Sequence, residues 1–464
     1  MYTNRARMGR LERTEMSVRF GESSKKAWRI ILIGFIILIA VAGGMLLIFR
    51  DRIFYSGPKP AANSYAPTRE MLEAASEQGY RPDLLRMRLN ALLIDDSQTG
   101  PYVLSWYLLP GQLLSMTPAQ SAYIDLTDQA LLMRLYVARK DRSSAAKLSA
   151  AIAQDFDDGN GGFFGARRID QIDRLSGKAP TADIAAEHEP TDRNPGTSLE
   201  AECAYLRALL EYHTRWGKAE DWERIRNAAL SVQSEDGTLL QDYAFVPTDT
   251  SEWPVAIINL DTYLEERDEP VEMYRAMKLC APDLRAFLLL AQTDAQYEPL
   301  YNDALEILRG GYISDRLPLF ALAYSTDNED YIYTAGGDAK VDAISSIKTM
   351  LRLSEVGALP VQSLAWIREQ IYNSGFIYTE YDIITGAAAS PTEATEAYGL
   401  ILLIAISEGD TNLYARTLDR LSRSMATLET SPARYMIFRK VGDYRNMTTA
   451  TDNLTVLLAM TGDG

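Results

Sequence analysis

A carboxylate at the head of an apolar helix is the feature of this sequence best suited to chemistry. In the run Lys278-Leu279-Cys280-Ala281-Pro282-Asp283-Leu284-Arg285-Ala286-Phe287-Leu288-Leu289-Leu290-Ala291, Pro282 suits the first helical position, where its missing N–H is no loss. Asp283 then falls in the first turn, where the positive end of the helix dipole favours the ionised carboxylate. Leu284, Phe287, Leu288 and Ala291 recur at the spacing of a buried helical face. The arrangement presents one ionised carboxylate at the end of a rigid helix, which on these residues alone reads first as a structural charge in a first turn. Histidine occurs only at His188 and His213, which argues against a His-rich metal site, a Ser-His-Asp triad or a Cys-His pair. Acidic residues are plentiful, so carboxylate chemistry is the simplest expectation, with no metal and no cofactor. Gly159-Asn160-Gly161-Gly162 lacks a following lysine and reads as a turn rather than a phosphate loop. The net charge of −16 argues against nucleic acid as a partner. Cys203 and Cys280 fall on different predicted helices and read as two buried thiols.

The elements that must position such a carboxylate begin after a membrane signal. Residues 1–29 form a basic tail with Arg5, Arg7, Arg10, Arg13, Arg19, Lys25, Lys26 and Arg29. Ile30 to Phe49 then runs without a charge, and at about 1.5 Å per residue it spans roughly 30 Å, a bilayer core. Arg50-Asp51-Arg52 follows instead of a small-residue cleavage site, which predicts an uncleaved single-pass anchor at 30–49. The basic flank places the N-terminus in the cytoplasm and the rest outside the cell membrane. A Pro/Gly linker fills 50–65, and one large domain is expected over 66–464. Helices are predicted at 67–78, 82–94, 118–139, 142–155, 197–215, 219–234, 271–279, 282–293, 297–309, 340–356, 360–373, 391–407, 411–428 and 449–460. Thr117-Pro118-Ala119-Gln120, Thr197-Ser198-Leu199-Glu200 and Ser390-Pro391-Thr392-Glu393 each fit a capping box. Strand-like alternation is scarce, Phe376 to Tyr381 being the one short hairpin arm expected. Short connections alternate with long ones, which suits an all-α closed toroid of about six helical hairpins, with long loops gathered at one end over the inner helices.

Several motifs, in order, carry a family resemblance. Ile344 to Gly357 resembles "slltvLhLaEVG", Ser363-Leu364-Ala365-Trp366-Ile367 resembles "slxWL", Pro391 to Leu400 resembles "yESTAxYAL", and Thr451 to Ala459 resembles "sFDNLxaLLA". Across most of residues 65–464 the chain is thus similar to glycoside hydrolase family 8, above all to the membrane-anchored exopolysaccharide hydrolases of bacterial polysaccharide-synthesis operons. The resemblance implies an (α/α)6 toroid and inverting hydrolysis by a Glu acid and an Asp base. Cys280-Ala281-Pro282-Asp283-Leu284 resembles "LCYxDL", which implies that Asp283 is the base. Asp125 to Met133 resembles "LSESxGLLM", and here the chain departs from the pattern, because the acid's position holds Thr127. A threonine hydroxyl cannot protonate a leaving group near neutral pH. Asp125 and Asp128 flank it at i and i+3 on one helical face, and the displaced acid is expected to be Asp128 first, then Asp125 or Glu202. Phe164 to Arg168 is a remnant of "FxWR". Glu200 to Glu211 resembles "IDDLRIxRALLE", with Ala201 and Glu202 at the two Asp positions.

The resemblance implies substrate contacts from Asp125, Glu202, Arg168, Tyr324 and Glu393, although a capping box explains Glu393 equally well and a loop carboxylate explains Arg168. Tyr243, Trp253, Tyr331, Tyr333 and Tyr378 are further candidates for stacking on sugar. Two functions follow as expectations. One is an anchored extracellular endo-acting hydrolase of a bacterial exopolysaccharide. The other is a relative without its acid that binds polysaccharide or scaffolds a synthesis and export complex. A helical receptor domain without a sugar ligand is the third.

Overall fold

The computed structural model describes Trp28, residues 32–41 and residues 66–462, apart from 91–92, 97–99, 109–120, 122, 160, 173–174, 176–197, 218, 240–243, 246–273, 326–328, 334–338, 430, 432 and 442–444. The chain divides into two compact units, Met1–Gly57 and Pro58–Gly464. In the first, residues 32–41 are helical and their large apolar side chains are exposed. The rest of the predicted span at 30–49 and the linker at 50–65 lie outside the described residues. Among the described residues no helix is long and apolar enough to cross a membrane.

The second unit opens with α1 (Arg69–Glu77) and α2 (Pro82–Asn90). It continues through α3 (Leu126–Ala138), α4 (Arg142–Asp155), α5 (Leu199–Trp216), α6 (Ala219–Leu230), α7 (Leu284–Thr293) and α8 (Glu298–Gly310). The chain then forms α9 (Ala343–Ser354), α10 (Val361–Glu369), α11 (Thr395–Ser407), α12 (Thr411–Leu421) and α13 (Ala450–Ala459). Alternate helices pack in sequence: α3 on α5, α5 on α7, α7 on α9, α9 on α11, α11 on α13, and α13 back on α3. These six close a ring. Of the others, α4 packs on α3, α6 on α5, α8 on α7 and α12 on α11. The connectivity fits the expected (α/α)6 toroid.

Side-chain patterns separate the two layers. Along α11, Tyr398, Gly399, Ile401, Leu402, Leu403, Ile404 and Ala405 are all buried, so no face is left for solvent. Outer α12 buries only Leu413, Tyr414, Thr417, Leu418 and Leu421, the single stripe of an amphipathic helix. Gly399 lets α11 and α13 approach closely, since a Cβ there would stand 3.1 Å from Thr455 Cγ2. The chain's early helices complete the outer layer, α1 against α12 and α2 against α13. The Tyr80 hydroxyl donates to the Leu418 carbonyl at 2.6 Å, and Gln78 Nε2 to that of Ala415 at 2.9 Å.

Helix starts differ from the sequence expectation, and for one recurring reason. Short strands enter the inner helices. Strand Tyr123–Asp125 pairs with Ala166–Arg168 and leads into α3. Strand Lys340–Asp342 pairs with Glu380–Asp382 and leads into α9. Residues 271–279, predicted as helix, contain strand Tyr274–Lys278 instead, placed between Ala244–Phe245 and Ala323–Ser325 in a four-stranded sheet. Arg445–Thr449 likewise leads into α13. Ladder hydrogen bonds hold these segments extended, overriding local helical propensity in Arg275-Ala276-Met277-Lys278, and partners so distant in sequence leave no local signal. The box at 117–120 lies outside the described residues. Of the other two, Ser198 rather than Thr197 caps α5, and α11 begins at Thr395 instead of Pro391.

Candidate active site

The N-terminal parts of α3, α5, α7 and α13, with later turns of α9 and α11, surround one cavity of about 380 Å³. Asp125, Thr127 and Asp128 face it from α3, Asp283 from the start of α7, and Thr451 from the start of α13. Three of the predicted catalytic positions, Asp283, Asp128 and Thr127, therefore meet in one place. Helix N-termini suit this role, because their unpaired N–H groups and dipoles favour carboxylates.

Asp283 is the N-cap of α7 rather than a residue of its first turn, and Pro282 lies outside the helix. Its Oδ1 accepts from the Ala286 N–H at 3.0 Å and from Arg207 Nη1 at 3.0 Å, while Oδ2 accepts from Arg352 Nη1 at 2.7 Å. Burial opposes its ionisation, but Arg207, Arg352, Arg134 and the capping N–H outweigh it and hold the carboxyl well below the usual range. Arg207, fully buried within α5, organises the floor. Its Nε donates to Glu211 at 2.9 Å, and Nη1 and Nη2 grip Glu355 at 2.9 and 3.0 Å. Arg134 meets the far side of Glu211 at 3.0 Å. The result is a continuous ionic chain beneath the cavity, from α3 through α5 and α9 to α7.

Asp128 is buried and accepts a hydrogen bond from the Thr451 hydroxyl at 2.5 Å. That contact occupies Oδ1. Asp125 is the half-buried N-cap of α3, without a side-chain capping bond. The sequence reading thus brought the right stretch of α3 to the cavity.

Four predicted substrate contacts lie elsewhere. Glu202 does not line the cavity; it is buried and accepts from the Phe163 N–H at 3.1 Å, because its neighbours Glu200 and Ala201 take the inward face of α5. Arg168 forms a bidentate pair with Asp170 at 3.1 and 2.9 Å. Glu393 pairs with Arg420 at 2.7 Å and accepts from the Tyr398 hydroxyl at 2.6 Å, since the chain is still extended where the capping box was expected. Tyr324 sits in the four-stranded sheet against Tyr331, ring centroids 5.1 Å apart, away from the cavity. Tyr243 and Trp253 lie outside the described residues. His188 does too, and His213 is buried against Trp222.

Sequence reasoning missed Glu200, which pairs with Lys348 at 2.8 Å on the cavity wall. Burial opposes its charge, yet Lys348, Lys278 and Arg352 pull its pKa below the usual value. It also missed Arg207, Arg352 and Glu355. A signal existed, since Leu206-Arg207-Ala208-Leu209-Leu210-Glu211 and Leu351-Arg352-Leu353-Ser354-Glu355 embed charges in apolar helical runs. Both cysteines are free and buried, and burial pushes the Cys203 and Cys280 thiols up, away from thiolate chemistry.

No protein-family model matches the sequence, and a search of curated proteins likewise finds no match. Solved structures do. The chain is similar to a novel α-amylase from Clostridium perfringens, with a TM-score of 0.60, 20% identity, and coverage of 83% of this chain and 97% of that one. It is similar to a β-1,3-1,4-glucanase from Paenibacillus sp. X4, with a TM-score of 0.53, 11% identity, and coverage of 88% and 97%. A third likeness is to the endo-β-1,4-glucanase CMCax from Acetobacter xylinum, with a TM-score of 0.50, 11% identity, and coverage of 82% and 99%. These likenesses, at 20% identity or below, show a fold shared with glycan-degrading enzymes of the ringed helical kind.

Proposed function

We propose that the chain is a membrane-anchored glycoside hydrolase whose catalytic domain lies outside the cytoplasm and cleaves a bacterial exopolysaccharide with inversion. One observation carries this reading: Asp283, Asp128 and Thr127 face a single cavity inside the helical ring. Inversion needs one carboxylic acid at the leaving oxygen and one carboxylate on the opposite face of the sugar, roughly 6.5–9.5 Å apart to admit a water. Asp128 protonates the glycosidic oxygen. Asp283 holds the attacking water by the acceptor capacity left on Oδ2 and receives its proton as the new C–O bond forms and the old one breaks. Its two arginines lower its basicity, which favours slow turnover.

The assay is release of reducing ends by the full chain from α- and β-linked polysaccharides. Asp128→Asn is expected to lower turnover by about 10²–10⁴-fold, the usual cost of losing a general acid. Thr127→Glu is expected to raise it by restoring a carboxyl beside Asp128. Binding of oligosaccharide without hydrolysis in any variant would establish a sugar-binding protein instead, the reading in which the chain scaffolds a synthesis or export complex.

The anchor rests on the uncharged run at 30–49 and its basic flank. Protease added to intact spheroplasts is expected to remove the region after residue 50; full protection would overturn the orientation.

A further inference from the structure

One wall of the cavity, taken with the charges packed behind it, carries a surplus of positive charge that the chain as a whole does not share. The protein has a net charge of −16, so a cationic concentration on it stands out. Around Asp283, the side chains Arg134, Arg207, Arg285, Lys278, Lys348 and Arg352 meet the carboxylates of Glu200, Glu211, Asp283 and Glu355. The carboxylates have close partners: Glu200 on Lys348, Asp283 on Arg352 and Arg207, Glu355 on Arg207, and Glu211 on Arg207 and Arg134. Two cations exceed the carboxylates in this group. Arg285 feels that excess, since burial and the neighbouring Arg207 push its pKa down. The Nε of Arg352 is buried without a hydrogen-bond partner.

Lys278 is the surplus cation that a ligand can reach. It ends strand Tyr274–Lys278 opposite Ala323, is exposed, and lines the cavity beside Glu200 and Arg352. The opposite wall carries Asp125 and Asp128. The cavity is thus polarised, acidic where α3 begins and basic across from it. Among the described residues its lining offers no aromatic ring for stacking on an uncharged sugar; what these residues supply is charge-assisted hydrogen bonding from lysine and guanidinium groups.

We propose that the cavity selects a glycan whose repeating sugar carries an anionic substituent, with that anion seated against Lys278 and Arg352. A ring carboxylate so placed neutralises the surplus and leaves the glycosidic oxygen to the acidic wall. An unattached anion would gain the same contacts, but a carboxylated sugar also turns its linkage toward Asp128. This deepens the reading of the cavity as a glycan site and rests on it.

Binding of the full chain in detergent to cellohexaose, maltohexaose and their counterparts oxidised to carboxylates at C6 separates the possibilities. In about 50 mM salt the oxidised member of at least one pair is expected to bind about tenfold more tightly, the equivalent of ~1.4 kcal/mol. The preference should shrink in about 0.5 M salt as screening grows. Lys278→Gln should abolish it and Lys278→Glu reverse it, with thermal midpoints unchanged because the side chain is exposed. Equal binding of neutral and oxidised members, or a preference that survives Lys278→Gln, overturns this inference and leaves the hydrolase reading standing. Failure of all four oligosaccharides to bind overturns both.

Discussion

Replacing Asp283 by asparagine is expected to lower glycan hydrolysis by about 10²–10⁴-fold, measured as reducing ends released by the full chain. The amide keeps the shape and can still accept from the Ala286 N–H and Arg207, but it cannot take the proton of the attacking water. The variant also leaves Arg352 facing a neutral group, and Arg352 has no other short ion pair among the described residues. Its folding must therefore be followed alongside its rate. A variant that keeps its thermal midpoint and loses its rate assigns Asp283 to the chemistry. One that keeps its rate removes Asp283 from the mechanism. The acid limb of the wild-type profile should lie unusually low. Arg207 and Arg352 hold the Asp283 carboxyl below the usual range, so it stays ionised where an ordinary aspartate, with a pKa of about 3.9, is already protonated.

Arg207→Met should cost about 3–5 kcal/mol of stability at neutral pH, because it removes the one ion pair of buried Glu355 among the described residues and leaves Glu211 and Asp283 with a single cation each. The pH dependence of that cost has a definite sign. In the wild type the depressed pKa of Asp283 contributes stability that is present above the unfolded carboxylate value and lost as pH falls through the folded one. In the variant Glu355 has no ion pair among the described residues and Asp283 and Glu211 keep one cation each, so acidification relieves the repulsion among them. The gap in thermal midpoint between the two proteins should then narrow as pH drops from 7 toward 4. A gap that is constant over that range would mean that Arg207 acts through packing alone. Methionine is the appropriate replacement, since its length keeps the core filled while removing every donor.

How the site was legible follows from the range of the forces involved. Asp283 stood out in the sequence because a proline, a carboxylate and an apolar stripe within fourteen residues form a local pattern, and local patterns survive without the fold. The helical hairpins were legible for the same reason. Amphipathic α12 announces itself by one stripe, and fully apolar α11 by having no polar face. Asp125, Thr127 and Asp128 were placed correctly because neighbours on one helix keep their spacing whatever the helix packs against.

What the sequence left open depended on partners far along the chain. Whether α3 begins at residue 118 or at Leu126 is decided by pairing of Tyr123–Asp125 with Ala166–Arg168. Residues 274–278 are a strand and not a helix because Ala323–Ser325 lies beside them. Glu202 was expected in the cleft and Glu200 was not. The two lie two residues apart on one helix, and only the rotation of α5 within the ring turns Glu200 to Lys348 and Glu202 to Phe163. The grip of Arg207 and Arg352 on Asp283 joins residues 76 and 69 positions apart. By itself, the sequence determined that a carboxylate would head an apolar helix in a helix-rich chain. Its surroundings, and with them its basicity, were decided by tertiary structure, because the field at a buried carboxylate is set by charges brought near through space rather than along the chain.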